Sequence, residues 1–254
     1  MILAIDVGNT NIVIGCIDDE KIYFVSRLDT NCNKTADEYS MDFKNILKLY
    51  DIPSNTLDGC IISSVVPPLM GIHLKAVKKA IGKTPIFVDP SMNHSFEVKI
   101  DNPNLLGSDL LVAATAALQK YPVPMVIVDM GTATTLSIID NNKAFIGGII
   151  YPGIQISMET LSQKTSQLPS VNLEEPNGVI CKNTVDAMKS GIIYGSASML
   201  DGLISRIKKE FSEDITVIAT GGLAPTIVPY CESDIICDDN LILKGLLMLY
   251  KQVR

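Results

Sequence analysis

Twice in this chain an acidic residue ends an apolar run in the same local setting. The opening MILAIDVGNTNIVIGCI carries Asp6-Val7-Gly8-Asn9-Thr10 between two apolar stretches. The segment MVIVDMGTATTLSIID carries Asp129-Met130-Gly131-Thr132-Ala133 in the same place, 123 positions later and about half the chain on. Both read as strand, turn, strand, with β-branched runs flanking a glycine and small hydroxyl or amide residues. Two readings of the turn fit. In one it is a plain hairpin, with Asp6 in the corner for its turn-forming side chain. In the other it is a phosphate loop, where Gly8 lets the backbone close on an anion, Asn9 and Thr10 offer donors and Asp6 manages a metal ion. A repeat at half the chain length predicts two lobes of one design, their acidic loops facing each other across a cleft.

The rest of the pattern alternates strands with helices. Strands are expected at 2–5, 12–17 and Lys21–Leu28, a helix over Thr35–Tyr50 stopped by Pro53, and a strand at Gly59–Val66 running into Pro67-Pro68. A helix at Leu69–Ile81, a strand at Ile86–Val88, an irregular or strand-like Met92–Asn104 and a helix at Ser108–Lys120 complete the first half. Tyr121-Pro122-Val123-Pro124 breaks the chain near its middle, which puts the lobes at 1–120 and 121–254. After the second hairpin come a strand at Ala144–Ile150, the turn Tyr151-Pro152-Gly153, a helix at Ile154–Gln163 and a polar loop at Leu168–Thr184. A long helix at Val185–Phe211, a strand at Ile215–Ala219, the loop Thr220-Gly221-Gly222 and a helix near Leu241–Gln252 follow. The class is α/β, with sheets made mixed by the hairpins.

Composition narrows the partners. A net charge of −7 with no Lys/Arg cluster longer than a pair argues against nucleic acid. No stretch reaches the ~18 uninterrupted apolar residues of a membrane span, and Asp6 interrupts the first apolar run too early for a signal peptide. Six scattered cysteines without a CxxC read as reduced thiols of a cytoplasmic protein. With 47% hydrophobic and only 19% charged residues, some apolar surface is expected to be covered by a partner subunit.

Several tempting motifs fail. Gly82-Lys83-Thr84 lacks the glycine and the strand that a Walker A loop needs, since Val77 and a helix precede it; it reads as a helix stop. His73 and His94 have no ligand-spaced companions and read as packing or surface residues. Asp109 stands in the first turn of the Ser108–Lys120 helix, after Gly107. It is either an anion well placed at a helix N-terminus or a base that accepts a hydroxyl proton. The helix end is expected to lower its pKa, which phosphoryl transfer tolerates because positioning outweighs proton abstraction. Thr220-Gly221-Gly222 is either a tight turn or a close backbone approach to a nucleotide.

In combination and order, these segments resemble the type III pantothenate kinase family along essentially the whole chain. DVGNTN at 6–11 and DMGTATT at 129–135 resemble its two phosphate loops, and NPNLLGSD at 102–109 its substrate segment. GGIIYPG at 147–153, QLPSV at 167–171, NTVDAMKSGIIYG at 183–195, TGGLA at 220–224 and LILKGL at 241–246 extend the match. The resemblance implies two similar actin-like (ribonuclease H-like) lobes with a nucleotide cleft between them, a homodimer, and ATP-dependent phosphorylation of pantothenate with Mg²⁺ and K⁺ or NH₄⁺. Carried over by position, Asp6, Val7, Gly8, Asn9, Thr10, Asn11, Ile12 and Val13 form the ATP loop, with Asp6 near Mg-ATP. Thr132 contacts ATP, and Asp129 binds the monovalent cation. Asp109 is the proton acceptor within a substrate segment of Gly107, Ser108, Asp109 and Leu110, and Thr184 contacts pantothenate. The family's segment usually continues with Arg where Leu110 stands, and many members carry Tyr at Ile100. Two rival readings therefore stand beside the kinase: a non-catalytic nucleotide-binding regulatory paralogue, and a kinase for a different small hydroxylated substrate.

Overall fold

Both hairpins form, and each becomes the centre of its own five-stranded sheet. The computed structural model describes residues 1–92 and 95–253, so His94 lies outside the described residues. Its strands are β1 (Ile2–Val7), β2 (Asn11–Ile17), β3 (Ile22–Asp29), β4 (Gly59–Ser64), β5 (Ile86–Phe87), β6 (Met125–Met130), β7 (Ala133–Ile139), β8 (Phe145–Pro152), β9 (Thr216–Thr220) and β10 (Ile236–Cys237). The helices are α1 (Ala36–Leu49), α2 (Pro67–Ile81), α3 (Ser108–Lys120), α4 (Ile154–Lys164), α5 (Thr184–Lys208), α6 (Ala224–Ile227) and α7 (Leu241–Gln252).

The sheets run β3-β2-β1-β4-β5 and β10-β9-β6-β7-β8. In each, an antiparallel three-strand meander continues into two parallel strands, so the second sheet repeats the first strand for strand. The mixed sheets expected from the sequence are thus present. The chain divides into two compact units, the first Met1–Phe96, Asp101–Gln119 and Asn240–Arg254, the second Glu97–Ile100 and Lys120–Asp239.

These units do not follow a single cut at 120/121. Residues 97–100 join the second unit because Val98 bridges Phe145, with Phe145 N–H donating to Glu97 O (2.8 Å) and Lys99 N–H to Phe145 O (2.7 Å). The last helix returns to the first unit, where α7 packs on β1, β2 and β4. Glycines make that approach possible. A Cβ at Gly15 would meet the Leu243 side chain at 2.6 Å, and one at Gly59 would collide with the Tyr250 ring.

Local chemistry sets the helix ends. Thr35 and Glu38 form a reciprocal capping box at α1, with Thr35 N–H donating to Glu38 Oε2 (2.7 Å) and Glu38 N–H to Thr35 Oγ1 (3.3 Å). Helix α2 starts at Pro67, two residues before the sequence expectation, because proline suits the first helical turn. It ends at Gly82, whose left-handed φ of 74° closes the helix, so Gly82-Lys83-Thr84 is a helix stop.

In the first unit the core lies between one sheet face (Leu3, Ile5, Val7, Ile12, Ile14, Cys60, Ile62) and α1 and α2 (Tyr39, Phe43, Leu69, Val77). His73 is fully buried there against the rings of Tyr39 and Phe43. In the second unit Val126, Val128, Met130 and Leu136 pack against α4, α5 and α6 through Met158, Ile193, Leu200 and Ile227. Because side chains alternate along a strand, Asp6 and Asp129 lie on the opposite sheet faces from these cores.

Candidate active site

Strand register places the first aspartate. Asp6 faces Val13 across the hairpin and Ser63 on the parallel strand β4. The turn after it closes with Gly8 N–H donating to Asn11 O (3.0 Å), while Asn9, Thr10 and Asn11 are exposed to solvent. Val7 and Ile12 point into the core, so only their backbone groups face the loop; Val13 is half-buried. Thr30, which the sequence pattern did not single out, pins the loop from the end of β3. Its hydroxyl donates to Gly8 O (2.7 Å) and its N–H to Thr10 O (2.9 Å). A hydroxyl residue just after the neighbouring strand was the available signal.

The expected substrate segment is joined to this loop through β4. Ser108, the first residue of α3, is buried with its hydroxyl 3.1 Å from that of Ser63. The same oxygen accepts from Ser64 N–H (3.2 Å) and donates to Ser64 O (3.2 Å). Ser108 thereby fixes the start of α3 beside the residue that flanks Asp6, which makes it a positioning residue. Asp109 folds its carboxylate back onto the helix start, accepting from Leu110 N–H at 2.8 Å. Gly107 is required for this, since a Cβ there would collide with Asp109 Oδ1. Leu110 and Ile100 are both half-buried.

The expectation that the helix end lowers the Asp109 pKa is overturned. Burial raises it, and the two backbone N–H bonds, from Leu110 and from Asp109 itself, only partly offset that. Loss of hydration outweighs the helix terminus, and the carboxylate is a stronger base than its position in the sequence suggests.

In the second unit Asp129 faces Thr135 across the hairpin and Thr220 on β9. Its turn is one residue shorter than the first, because the last ladder pair is Met130 with Thr134 where the first hairpin ends with Val7 and Ile12. Gly131 N–H donates to Ala133 O (3.1 Å). Two other loops press on this turn. Gly221 adopts φ 93°, and a Cβ there would meet Asp129 Oδ1 at 2.6 Å and the Met130 backbone at 2.7 Å. A Cβ on Gly153, which precedes α4, would collide with the carbonyls of Gly131 and Thr132. The Thr220-Gly221-Gly222 loop and the Tyr151-Pro152-Gly153 turn therefore converge on Asp129 and Thr132. The Thr135 hydroxyl is buried and finds no hydrogen-bond partner among the described residues. A carboxylate with an unsatisfied hydroxyl opposite suits a hard cation, which takes oxygen ligands.

Thr184 opens α5 and is exposed. The preceding Asn183 caps the helix by accepting from Asp186 N–H (2.9 Å), and Asp186 is held by the side-chain amides of Asn183 (2.8 Å) and Asn177 (2.7 Å). These bonds order the helix start that carries Thr184.

The family model for type III pantothenate kinase matches residues 2–206. The type III pantothenate kinase of Halalkalibacterium halodurans is 42% identical over 252 residues, covering 99% of both chains. Among solved structures, the (R)-2-hydroxyglutaryl-CoA dehydratase component A of Acidaminococcus fermentans superposes with TM-score 0.57 at 14% identity, over 100% of this chain and 99% of that one. A ROK hexokinase from Thermus thermophilus superposes with TM-score 0.50 at 10% identity, over 100% and 99%. At such identities the two structures speak for the fold alone, the actin-like, sugar-kinase-like architecture of two related lobes. The duplicated hairpins and the family match along the chain lead to one assignment: the chain belongs to the type III pantothenate kinase family.

Proposed function

We propose that this protein transfers the γ-phosphoryl group of ATP to the hydroxyl of pantothenate, giving 4'-phosphopantothenate in the first step of coenzyme A synthesis. The observation that carries the reading is the half-buried, more basic Asp109 carboxylate, held at the start of α3 and tied through Ser108 and Ser63 to the Asp6 loop. ATP, when bound, supplies the phosphoryl group, and its Mg²⁺ neutralises phosphate charge. Asp109 orients the acceptor hydroxyl and takes its proton as the P–O bond forms. The exposed Asn9, Thr10 and Asn11 and the backbone of Gly8 offer donors to phosphates, and Thr132 does so from the second loop. Among the described residues no group of three or more His, Cys, Asp or Glu side chains is placed to hold a metal ion. A divalent ion near Asp6 would draw its other ligands from nucleotide phosphates and water. Asp129 anchors K⁺ or NH₄⁺, and Thr184 contacts pantothenate.

A homodimer acting in the cytoplasm completes the proposal. The second unit leaves Ile150 (77% exposed), Tyr151, Ile156, Val179, Ile180 (94% exposed) and Val185 open to solvent, an apolar surface that a second copy would cover. All six cysteines are free, which supports a reducing compartment. Among the described residues no helix is long and apolar enough to cross a membrane. A coupled ATP-consumption assay, with pantothenate and K⁺ each present or omitted, tests the reaction. Consumption that does not depend on pantothenate would overturn it. Sedimentation tests the dimer; a stable monomer with full activity would remove it.

A further inference from the structure

We propose that Thr135 is a second protein ligand at the Asp129 site, its hydroxyl oxygen supplying a neutral donor to the monovalent cation that Asp129 anchors. The inference rests on the reading of Asp129 as a cation anchor and adds to it a residue that the phosphate-loop pattern does not assign. Three observations meet at this position. Thr135 lies directly opposite Asp129 in the β6–β7 ladder, and directly opposed residues project to one face. Its hydroxyl is shut off from solvent and has no partner among the described residues, although a buried hydroxyl ordinarily finds one. On its other side the register places Ile150, which offers no polar side-chain atom.

The nearest acceptor in register is the Asp129 carboxylate, yet Thr135 makes no hydrogen bond to it. A group that fits between a carboxylate and a hydroxyl oxygen is a cation with hard oxygen ligands. An anion is disfavoured there by the charge of Asp129. Gly221 keeps its own side chain off the Asp129 carboxylate, since any Cβ there would press on Oδ1. Asp6 makes the contrast: across its hairpin stands Val13, which has no side-chain oxygen, and the hydroxyl on its other side, that of Ser63, is taken by Ser108.

The test compares Thr135→Val, Thr135→Ser and Asp129→Asn with wild type. Thermal midpoints are measured as KCl replaces tetramethylammonium chloride at constant ionic strength, with and without Mg-ADP, and K⁺ half-saturation of turnover is measured in parallel. Wild type should gain several degrees with K⁺, because a ligand that binds only the folded state raises its midpoint. Thr135→Val should need about tenfold more K⁺ for the same shift, with the Michaelis constant for ATP at saturating K⁺ little changed. Thr135→Ser should restore the wild-type response. Without K⁺, Thr135→Val should be at least as stable as wild type, since it removes an unsatisfied buried hydroxyl. A wild-type protein indifferent to K⁺ would defeat the Asp129 reading and this proposal with it. A normal K⁺ response in Thr135→Val, lost in Asp129→Asn, would defeat the proposal alone. If Thr135→Val does not fold, Thr135→Ala takes its place under the same criteria.

Discussion

Across the sheet of the first unit one row of side chains reads Ser63, Asp6, Val13, Arg27; across the second the matching row reads Thr220, Asp129, Thr135, Ile150. Strand order, the central aspartate and a hydroxyl residue on its parallel-strand side are shared, and the other positions differ. In the first unit, Ser63 and its neighbour Ser64 hold Ser108, so the row fastens the helix that bears Asp109. In the second, Gly221 stands where Ser64 would, and the chain wraps onto the aspartate instead. On the proposed reading, one scaffold used twice gives two devices, one that positions a base and one that suits a cation.

The largest expected effect isolates the first device. Asp109→Asn should lower turnover by roughly 10²- to 10⁴-fold, because the amide keeps the shape and loses the basicity. Nucleotide binding, measured separately, should persist. Near-normal turnover would leave the first unit with no catalytic role for its helix start. In the unsubstituted protein the raised pKa makes the base form fade as pH falls, at a higher pH than for an ordinary carboxylate of about 4. The acid limb of the kcat profile should lie above that range.

Glycine substitutions test the divergence of the loops. Gly221→Ala forces a side chain into a left-handed backbone and against Asp129, and should cost about 2–3 kcal/mol of stability. Gly8→Ala meets only Asn11 O, at 3.1 Å. It should cost under ~1 kcal/mol. Equal losses in denaturant titrations would mean that the two turns are equally constrained.

Much of this difference could be anticipated from the chain and some could not. The hairpins were legible because period-two patterning and a glycine act over a few residues. The return of α7 to the first unit was not, since it depends on Gly15 and Gly59 meeting Leu243 and Tyr250 from the far end of the chain. The direction of the Asp109 shift was misjudged for a related reason. Its place in the helix is local, whereas the burial that raises its pKa is assembled by tertiary packing.

Acid should separate the units next. Unit 1 buries His73 with neither ring nitrogen hydrogen-bonded among the described residues and its pKa depressed to about 4 by burial, and the second unit contains no histidine. The groups facing it, Tyr39 and Phe43, are aromatic and cannot hold the cation by charge. Since the unfolded chain takes up this proton near 6.5 and the folded chain near 4, stability is lost as pH falls between those values, by about 2–3 kcal/mol. Hydrogen exchange at pH 7 and pH 5 should show the first unit loosening first, and His73→Phe should abolish the difference. Uniform loosening in both units would refute it.

The smallest effect concerns the substrate side. Leu110→Arg adds a cation beside Asp109 and should lower the apparent KM for pantothenate by about tenfold, with that for ATP little changed. A stable variant without that gain would mean that another residue already serves the carboxylate.

The return of α7 also sets an order of assembly on the ribosome. Everything the second unit needs from residue 120 onward is synthesised before Asn240, whereas the first unit begins first and lacks its α7 segment until after the second is made. The Asp6 side of the first sheet must therefore wait, with the surface around Gly15 and Gly59 uncovered, through the translation of the intervening 120–239 stretch. At ~5–20 residues per second that wait lasts on the order of ten seconds. The lobe that carries the proposed base is thus the earlier to emerge and the later to mature.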